Sequence, residues 1–339
     1  MRVRSRLAAI VLTLAAGVAP AGAQDTLGDL VDSGGYDWII GRWVATPDND
    51  RKAQFIFDWV LDRHAVLSRL QVEDLRYEGL ILLLPGSQDP FEEGADNQGG
   101  TWKGTWSPQG DGLVRRVDHT GADGRMRKGE MVFDKVDADT ITVGIYLLDG
   151  SGSRNAEPVS KLTCKRQQAQ AAAPRATAET PRRSTDHETL ADIVAEGGYE
   201  WLMGKWSGSE NGRTYELECQ PILDGHGVTV NMKMGSFQYL GLITYAASRQ
   251  EAMESGVDTL GRTWKMTYEQ DGSDLVGQSE VTKPDGATQK LRQVYTKIDN
   301  DTFNVKLFGV AADGSRMGEP LEQVTFKRQK GPATAAPAK

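Results

Sequence analysis

The sequence predicts an all-β protein made of two tandem antiparallel up-and-down β-barrels, each preceded by a short N-terminal helix. Three observations predict it. The chain has 339 residues, more than one ordinary core organises. It also repeats itself: residues 77–167 align on 239–329 without a gap, so that "TWKGTW" at 101–106 meets "TWKMTY" at 263–268 and "KVDADT" at 135–140 meets "KIDNDT" at 297–302. Within each repeat, apolar and polar residues alternate between turn signals such as "SENG", "DGHG" and "KPDG", as in short strands with one buried face. The unit, about 140 residues long, suits an independent domain.

Taken in order, residues 1–23 combine a basic start (Arg2, Arg4, Arg6), an apolar run from Leu7 to Val18 and the small-residue stretch "APAGAQD". These are the parts of a cleavable secretory signal, with the cut expected after Ala23. The run is too short to span a bilayer and none like it follows, so no transmembrane segment is expected and the mature chain is expected to be periplasmic or secreted. Losing three arginines and no acid takes the formal charge from −8 to −11. Such a chain repels phosphate backbones, so nucleic acid is not an expected partner.

Barrel 1 is expected over 26–166 and barrel 2 over 189–329. Each opens on an amphipathic stretch, "TLGDLVDSGG" or "TLADIVAEGG", with apolar residues at helical spacing, a Thr before it as cap and a Gly pair after it as stop. A nearly repeated motif follows, "GYDWIIGRW" at 35–43 and "GYEWLMGKW" at 198–206. From there the period becomes two, and eight to ten short strands per repeat read as a closed meander. Residues 167–188, which contain no aromatic or branched aliphatic side chain, are expected to form a flexible linker. The tail 330–339 has the same character, and the two barrels are expected to be tethered rather than joined in one core. Residues 85–100 and 247–262 connect the same two strands with no evident shared pattern. They read as unlike loops at the barrel mouth, the second able to form a short helix over the opening.

Gly41-Arg42-Trp43 and Gly204-Lys205-Trp206, each opening a first strand after a helical entry, resemble the G-x-W signature of lipocalins and related calycin barrels. The whole pattern is similar to the lipocalin-like domains of unassigned function in bacterial exported proteins. That resemblance implies a barrel floor in which Trp43 and Trp206 are covered by an Arg from the last strand. Arg166 and Arg328 match, since Leu162, Cys164 and Arg166 share one face of their strand, as do Val324, Phe326 and Arg328. Stacking of guanidinium on indole gives an Arg on such a face its reason.

Chemistry is less legible. Strand parity places His64, Val66, Leu70, Tyr77 and Ile81 in the first barrel as candidate ligand contacts, with His226, Val228, Val230, Met232, Tyr239 and Tyr245 in the second. The two histidines occupy equivalent places in "LDRHAV" and "LDGHGV". Each reads either as a polar contact inside its barrel, an axial ligand if haem were bound, or a turn-end side chain bonded to nearby backbone. One His per barrel without clustered carboxylates is not a metal site, and no metal is expected. Cys164 and Cys219 align with Phe326 and Phe57, which makes both core positions in separate barrels rather than a disulfide. No nucleotide, zinc-protease or Ser-hydrolase motif is present, so no cofactor is expected and no catalytic residue is assigned. The expected function is binding of a small apolar or amphipathic molecule in one or both barrels. Its alternatives are an enzyme on a lipid-like substrate with a barrel His as base, and a non-binding module of the cell envelope.

Overall fold

The structure, a computed structural model, describes residues 26–45, 52–167, 188–311 and 314–329. The secretory-signal segment, the linker apart from its first and last residues, and the tail lie outside the described residues.

In the first repeat α1 (Leu27–Ser33) precedes β1 (Gly41–Ala45), β2 (Ala53–Val60), β3 (Ala65–Val72), β4 (Leu75–Leu82), β5 (Phe91–Asp96), β6 (Thr101–Gln109), β7 (Gly112–Thr120), β8 (Met126–Lys135), β9 (Thr140–Leu147) and β10 (Ser160–Gln167). In the second, α2 (Leu190–Glu196) precedes β11 (Gly204–Glu210), β12 (Arg213–Ile222), β13 (Gly227–Met234), β14 (Phe237–Ala246), β15 (Glu251–Asp258), β16 (Thr263–Asp271), β17 (Asp274–Thr282), β18 (Thr288–Lys297), β19 (Thr302–Gly309) and β20 (Glu322–Arg328). Every strand pairs antiparallel with its sequence neighbours, and β1 with β10 and β11 with β20 close two ten-stranded barrels. Closure leaves neither sheet an unpaired edge. No described helix is long and apolar enough to cross a membrane.

Both helices start with a reciprocal cap. The Thr26 hydroxyl accepts from the Asp29 amide at 3.1 Å while the Asp29 carboxylate accepts from the Thr26 amide at 2.9 Å, and Thr189 with Asp192 repeats the arrangement. The helices feed the floors. Arg166 pairs in register with Trp43 and Arg328 with Trp206, and each guanidinium lies 4.1 Å over its indole. Arg166 also donates to the Ile40 and Trp38 carbonyls at 2.7 Å, and Arg328 to Met203 and Trp201 at 2.8 and 2.9 Å. Both indoles are wholly buried and donate back to the entry turn, to the carbonyls of Ile39 and Leu202. The first residue of G-x-W must be Gly for two reasons. Gly41 and Gly204 sit at φ +124° and +112°, and a Cβ would lie 2.7 or 2.9 Å from the arginine Nη1. Arg328→Ala removes the bonds to the Met203, Trp201 and Asn300 carbonyls and the cation–π contact, and a loss of about 2–3 kcal/mol is expected in urea unfolding of the second barrel.

The barrels keep separate cores, and their outer faces also meet. Outer-face residues Ala65, Leu67, Leu80 and Leu82 of β3 and β4 form one apolar cluster with Leu240 of β14 and Val257 of β15. Around it Arg76 donates to Asp224, and Ser255 donates to Glu93. Apolar burial between the two sheets explains why they associate, because a face of this composition left in water costs roughly 25 cal/mol per Å2.

Candidate functional site

The two barrels share one buried polar centre and differ in what surrounds it. In barrel 1, Glu92 on β5 is 1% exposed and accepts three bonds: from the Tyr77 hydroxyl at 2.7 Å, the Trp106 indole at 2.8 Å and Arg115 Nε at 2.6 Å. Arg115, on β7 and opposite Trp106 and Met131 in register, is itself 3% exposed. Its guanidinium also lies 4.9 Å from the Tyr77 ring centre and 5.5 Å from that of Trp102, while its Nη2 has no hydrogen-bond partner among the described residues. The pair is desolvated, so it holds together only because charge meets charge at hydrogen-bond distance.

In barrel 2 the equivalent carboxyl is Glu254 on β15, 2% exposed. It accepts from the Tyr239 hydroxyl at 2.5 Å and from the Tyr268 hydroxyl, the counterparts of Tyr77 and Trp106. No cation replaces Arg115, because the position that pairs with Tyr268 and Gln293 is Gly277. Among the described residues, Glu254 has no ion-pair partner. Burial, opposed by the two tyrosine hydrogen bonds, pushes its carboxyl above the usual range.

Side-chain volume decides the rest. Phe55, Phe57, Trp106 and Phe133 pack edge-on or stacked across the bore of barrel 1 at centroid distances of 5.3–6.0 Å. The aligned residues of barrel 2 are Leu217, Cys219, Tyr268 and Tyr295. Met266 reaches over Gly277 and recovers part of the missing bulk, but a hollow of about 200 Å3 remains. Solvent contact follows it. Ser68, Leu70, Phe133 and Val143 are buried, whereas their equivalents Val230, Met232, Tyr295 and Val305 are only half-buried although they point inward. The hollow runs from Leu202 and Met203, beside the floor, to Met234 and Phe237 at the β13–β14 hairpin, with Glu254, Tyr239, Tyr268 and Tyr295 in its wall.

A second hollow, about 290 Å3, lies in the first repeat beneath α1. It is lined by Leu27, Leu30, Val31, Ile39, Val66 and Ile81 among others, and no charged side chain enters it. It lies between the helix and the helix-side end of the bore, where Phe57, Trp106 and Leu113 form its inner wall. Although larger, it offers no charged group to orient a ligand.

The candidates from sequence fall into three groups. Val228, Val230, Met232 and Tyr239 line the hollow of barrel 2, and Val66 and Ile81 line the hollow under α1. Leu70 and Tyr77 are packed in the filled core of barrel 1, and Tyr245 belongs to the core of barrel 2, where its hydroxyl donates to Glu188 at 2.6 Å. His64 and His226 are elsewhere. They line neither hollow and instead pack across the barrel–barrel interface: a Cβ on Gly261 would lie 3.4 Å from the His64 ring, and one on Gly99 3.3 Å from that of His226. The parity argument fails because both residues cap 3-10 turns with helical φ/ψ, and alternation of faces holds only along extended backbone. The idea of a barrel His acting as base therefore loses its geometry.

Residues 85–100 and 247–262 also need correction, being largely wall rather than mouth. They contribute β5 and β15, and the only helical turn in the second is the three-residue Ala247–Arg249. They share a skeleton of Glu, Gly, Asp, Gly, Thr and Trp at 92, 94, 96, 99, 101 and 102 and at 254, 256, 258, 261, 263 and 264. Each buried Asp accepts the Trp indole, Asp96 from Trp102 at 2.7 Å and Asp258 from Trp264 at 2.9 Å. The Asp also meets a basic side chain by different routes: His119 at 3.1 Å in barrel 1, Arg262 at 2.7 Å in barrel 2. Gly100, which stands where barrel 2 has Arg262, leaves the room, since a Cβ there would come within 2.2 Å of His119 Nε2.

Cys164 and Cys219 are free and buried in separate barrels, and burial pushes both thiols up to about 12. No group of three or more metal-ligating side chains is found among the described residues.

Fold and site together define a tandem of closed ten-stranded antiparallel barrels, one filled across its bore by an ion pair and aromatics, the other hollow beside a buried carboxyl that has no ion-pair partner among the described residues. No protein-family model matches the chain, and no curated protein matches it. Among solved structures, a protein of unknown function from the DUF3598 family of Nostoc punctiforme PCC 73102 is 14% identical, with 87% of this chain and 98% of that chain covered and a TM-score of 0.23.

Proposed function

We propose that this is an exported protein whose second barrel binds a small apolar or amphipathic molecule, in the manner of lipocalin-like barrels, while the first is a structural copy. The observation that carries the reading is the contrast between the two bores. Barrel 2 keeps a hollow of about 200 Å3 with a few polar groups converging on it, where barrel 1 is closed by larger side chains. Its size is above the ~150 Å3 of an apolar cavity that takes benzene, so the ligand is small. The secretory-signal segment supports export, since it carries the basic start, apolar run and small-residue site of a cleaved leader.

The test is native mass spectrometry of the full mature chain recovered from a periplasm, with calorimetric titration of hexylurea as a neutral amphipathic probe. Leu217→Phe with Cys219→Phe, which installs the first barrel's residues, is the comparison. A retained molecule or bound hexylurea in the natural chain, absent from the filled variant, is the expected result. No retained molecule and no hexylurea binding would overturn it.

A further inference from the structure

We propose that the ligand of barrel 2 is a small hydrophobic cation, a guanidinium, amidine or protonated amine on a hydrocarbon body, with its charge on Glu254. The inference rests on the binding role assigned to barrel 2 and names the chemistry of what it binds. It comes from the comparison of two copies of one site within one chain.

The two carboxyls are held alike. Glu92 takes a Tyr hydroxyl on Oε1 and an aromatic N–H on Oε2, and Glu254 takes a Tyr hydroxyl on Oε1 and an aromatic hydroxyl on Oε2. In barrel 1 Oε2 receives one donor more, the guanidinium of Arg115. In barrel 2 the backbone that would carry it is Gly277, with Met266 lying over it, and no cation among the described residues takes that third place at the carboxyl. The aromatic walls that flank the Arg115 guanidinium, Tyr77 and Trp102, persist as Tyr239 and Trp264, with centroids 5.3 Å apart in one barrel and 5.6 Å in the other. A cation beside a buried carboxylate and aromatic faces is stabilised by both. Barrel 1 thus contains, as part of its own chain, the group that a ligand brings to barrel 2.

Two other charges line the hollow. Arg262 is paired through Nε with wholly buried Asp258 at 2.7 Å, its guanidinium 5.5 Å from the Trp264 ring centre, and Glu322 accepts from the Tyr215 hydroxyl. The remaining neighbours of Glu254 are the hydroxyls of Tyr239, Tyr268 and Tyr295 and the thiol of Cys219, all pushed upward by burial and so uncharged at neutral pH. Half-buried Val230, Met232 and Val305 supply the apolar surface for the hydrocarbon body.

The test compares three isosteric or nearly isosteric probes by calorimetric titration of the full chain: hexylguanidinium, neutral hexylurea and hexanoate. Hexylguanidinium is expected to bind roughly ten- to a hundredfold more tightly than hexylurea, the worth of a hydrogen bond to a charged partner. Glu254→Gln is expected to remove that advantage, and its circular dichroism spectrum and cooperative urea unfolding show that the variant is folded. Equal binding of guanidinium and urea, tighter binding of hexanoate, or an advantage that survives Glu254→Gln would each overturn the cation while the hollow barrel remained a binding site. Failure of all three probes overturns the binding role together with it.

Discussion

Glu92→Gln is expected to destabilise the first barrel by about 3–5 kcal/mol, the usual cost of leaving a buried charge without its partner. The change keeps the shape of the side chain and still offers an oxygen to Tyr77 or Trp106. What it removes is the countercharge for a guanidinium that is 3% exposed, 2.6 Å from the carboxylate. Adding Arg115→Met to Glu92→Gln is expected to restore most of the loss, because the stranded cation is then gone. Urea unfolding, with hydrogen exchange read separately on β5 and β7, checks both steps. A small loss for the single variant, or no recovery in the double, would show that the aromatic packing alone sets the stability of this bore.

In the second barrel, acid is expected to stabilise the ligand-free protein. The folded carboxyl of Glu254 sits above its ordinary value of 4.5, chiefly because burial penalises the charge. A group whose folded value is raised binds protons more readily in the native state, so its stabilising effect is fully present below about 4.5 and is lost as pH rises through the folded value. Each unit of elevation is worth about 1.4 kcal/mol. The tyrosine and thiol neighbours are shifted upward and stay neutral through this window, so Glu254 is the group that titrates among them. Glu254→Gln is expected to flatten the slope and to make the ligand-free second barrel more stable than the natural one at neutral pH. Thermal unfolding between pH 4 and 8, resolved on β14–β16, is the measurement, and a slope unchanged by the substitution would assign the dependence to another group.

The architecture was legible because it rests on short-range signals. The repeated G-x-W, the Thr caps and the alternation of apolar residues each report a local constraint, and the two closed barrels follow from them. The hollow was not legible, since it depends on volumes summed across strands that are distant in sequence: Leu217 for Phe55 and Cys219 for Phe57 on β12, and Gly277 for Arg115 on β17. The central carboxyl could have been found. Glu92 and Glu254 each stand four residues before an aligned Asp and ten before an aligned Trp, a match that shows only when both stretches are read as one skeleton, Glu-x-Gly-x-Asp, and the unlike residues before it hid the register. His64 and His226 were misplaced for a conformational reason, because Leu61, Asp62, Leu223 and Asp224 all have positive φ and reset the direction of the side chains after them.

The contact between the barrels has a further consequence. His64 meets Gly261 and His226 meets Gly99, and Glu93 meets its own counterpart Ser255, so these contacts repeat across the interface with the roles exchanged. This is the geometry of a two-fold dimer written into a single chain. In a dimer of identical subunits any substitution in one bore occurs in both, and a protein that needs one rigid body and one receptive cavity cannot obtain them from the same gene product. Covalent fusion removes that constraint: one half is free to close around its own arginine and brace the assembly, and the other is free to stay open.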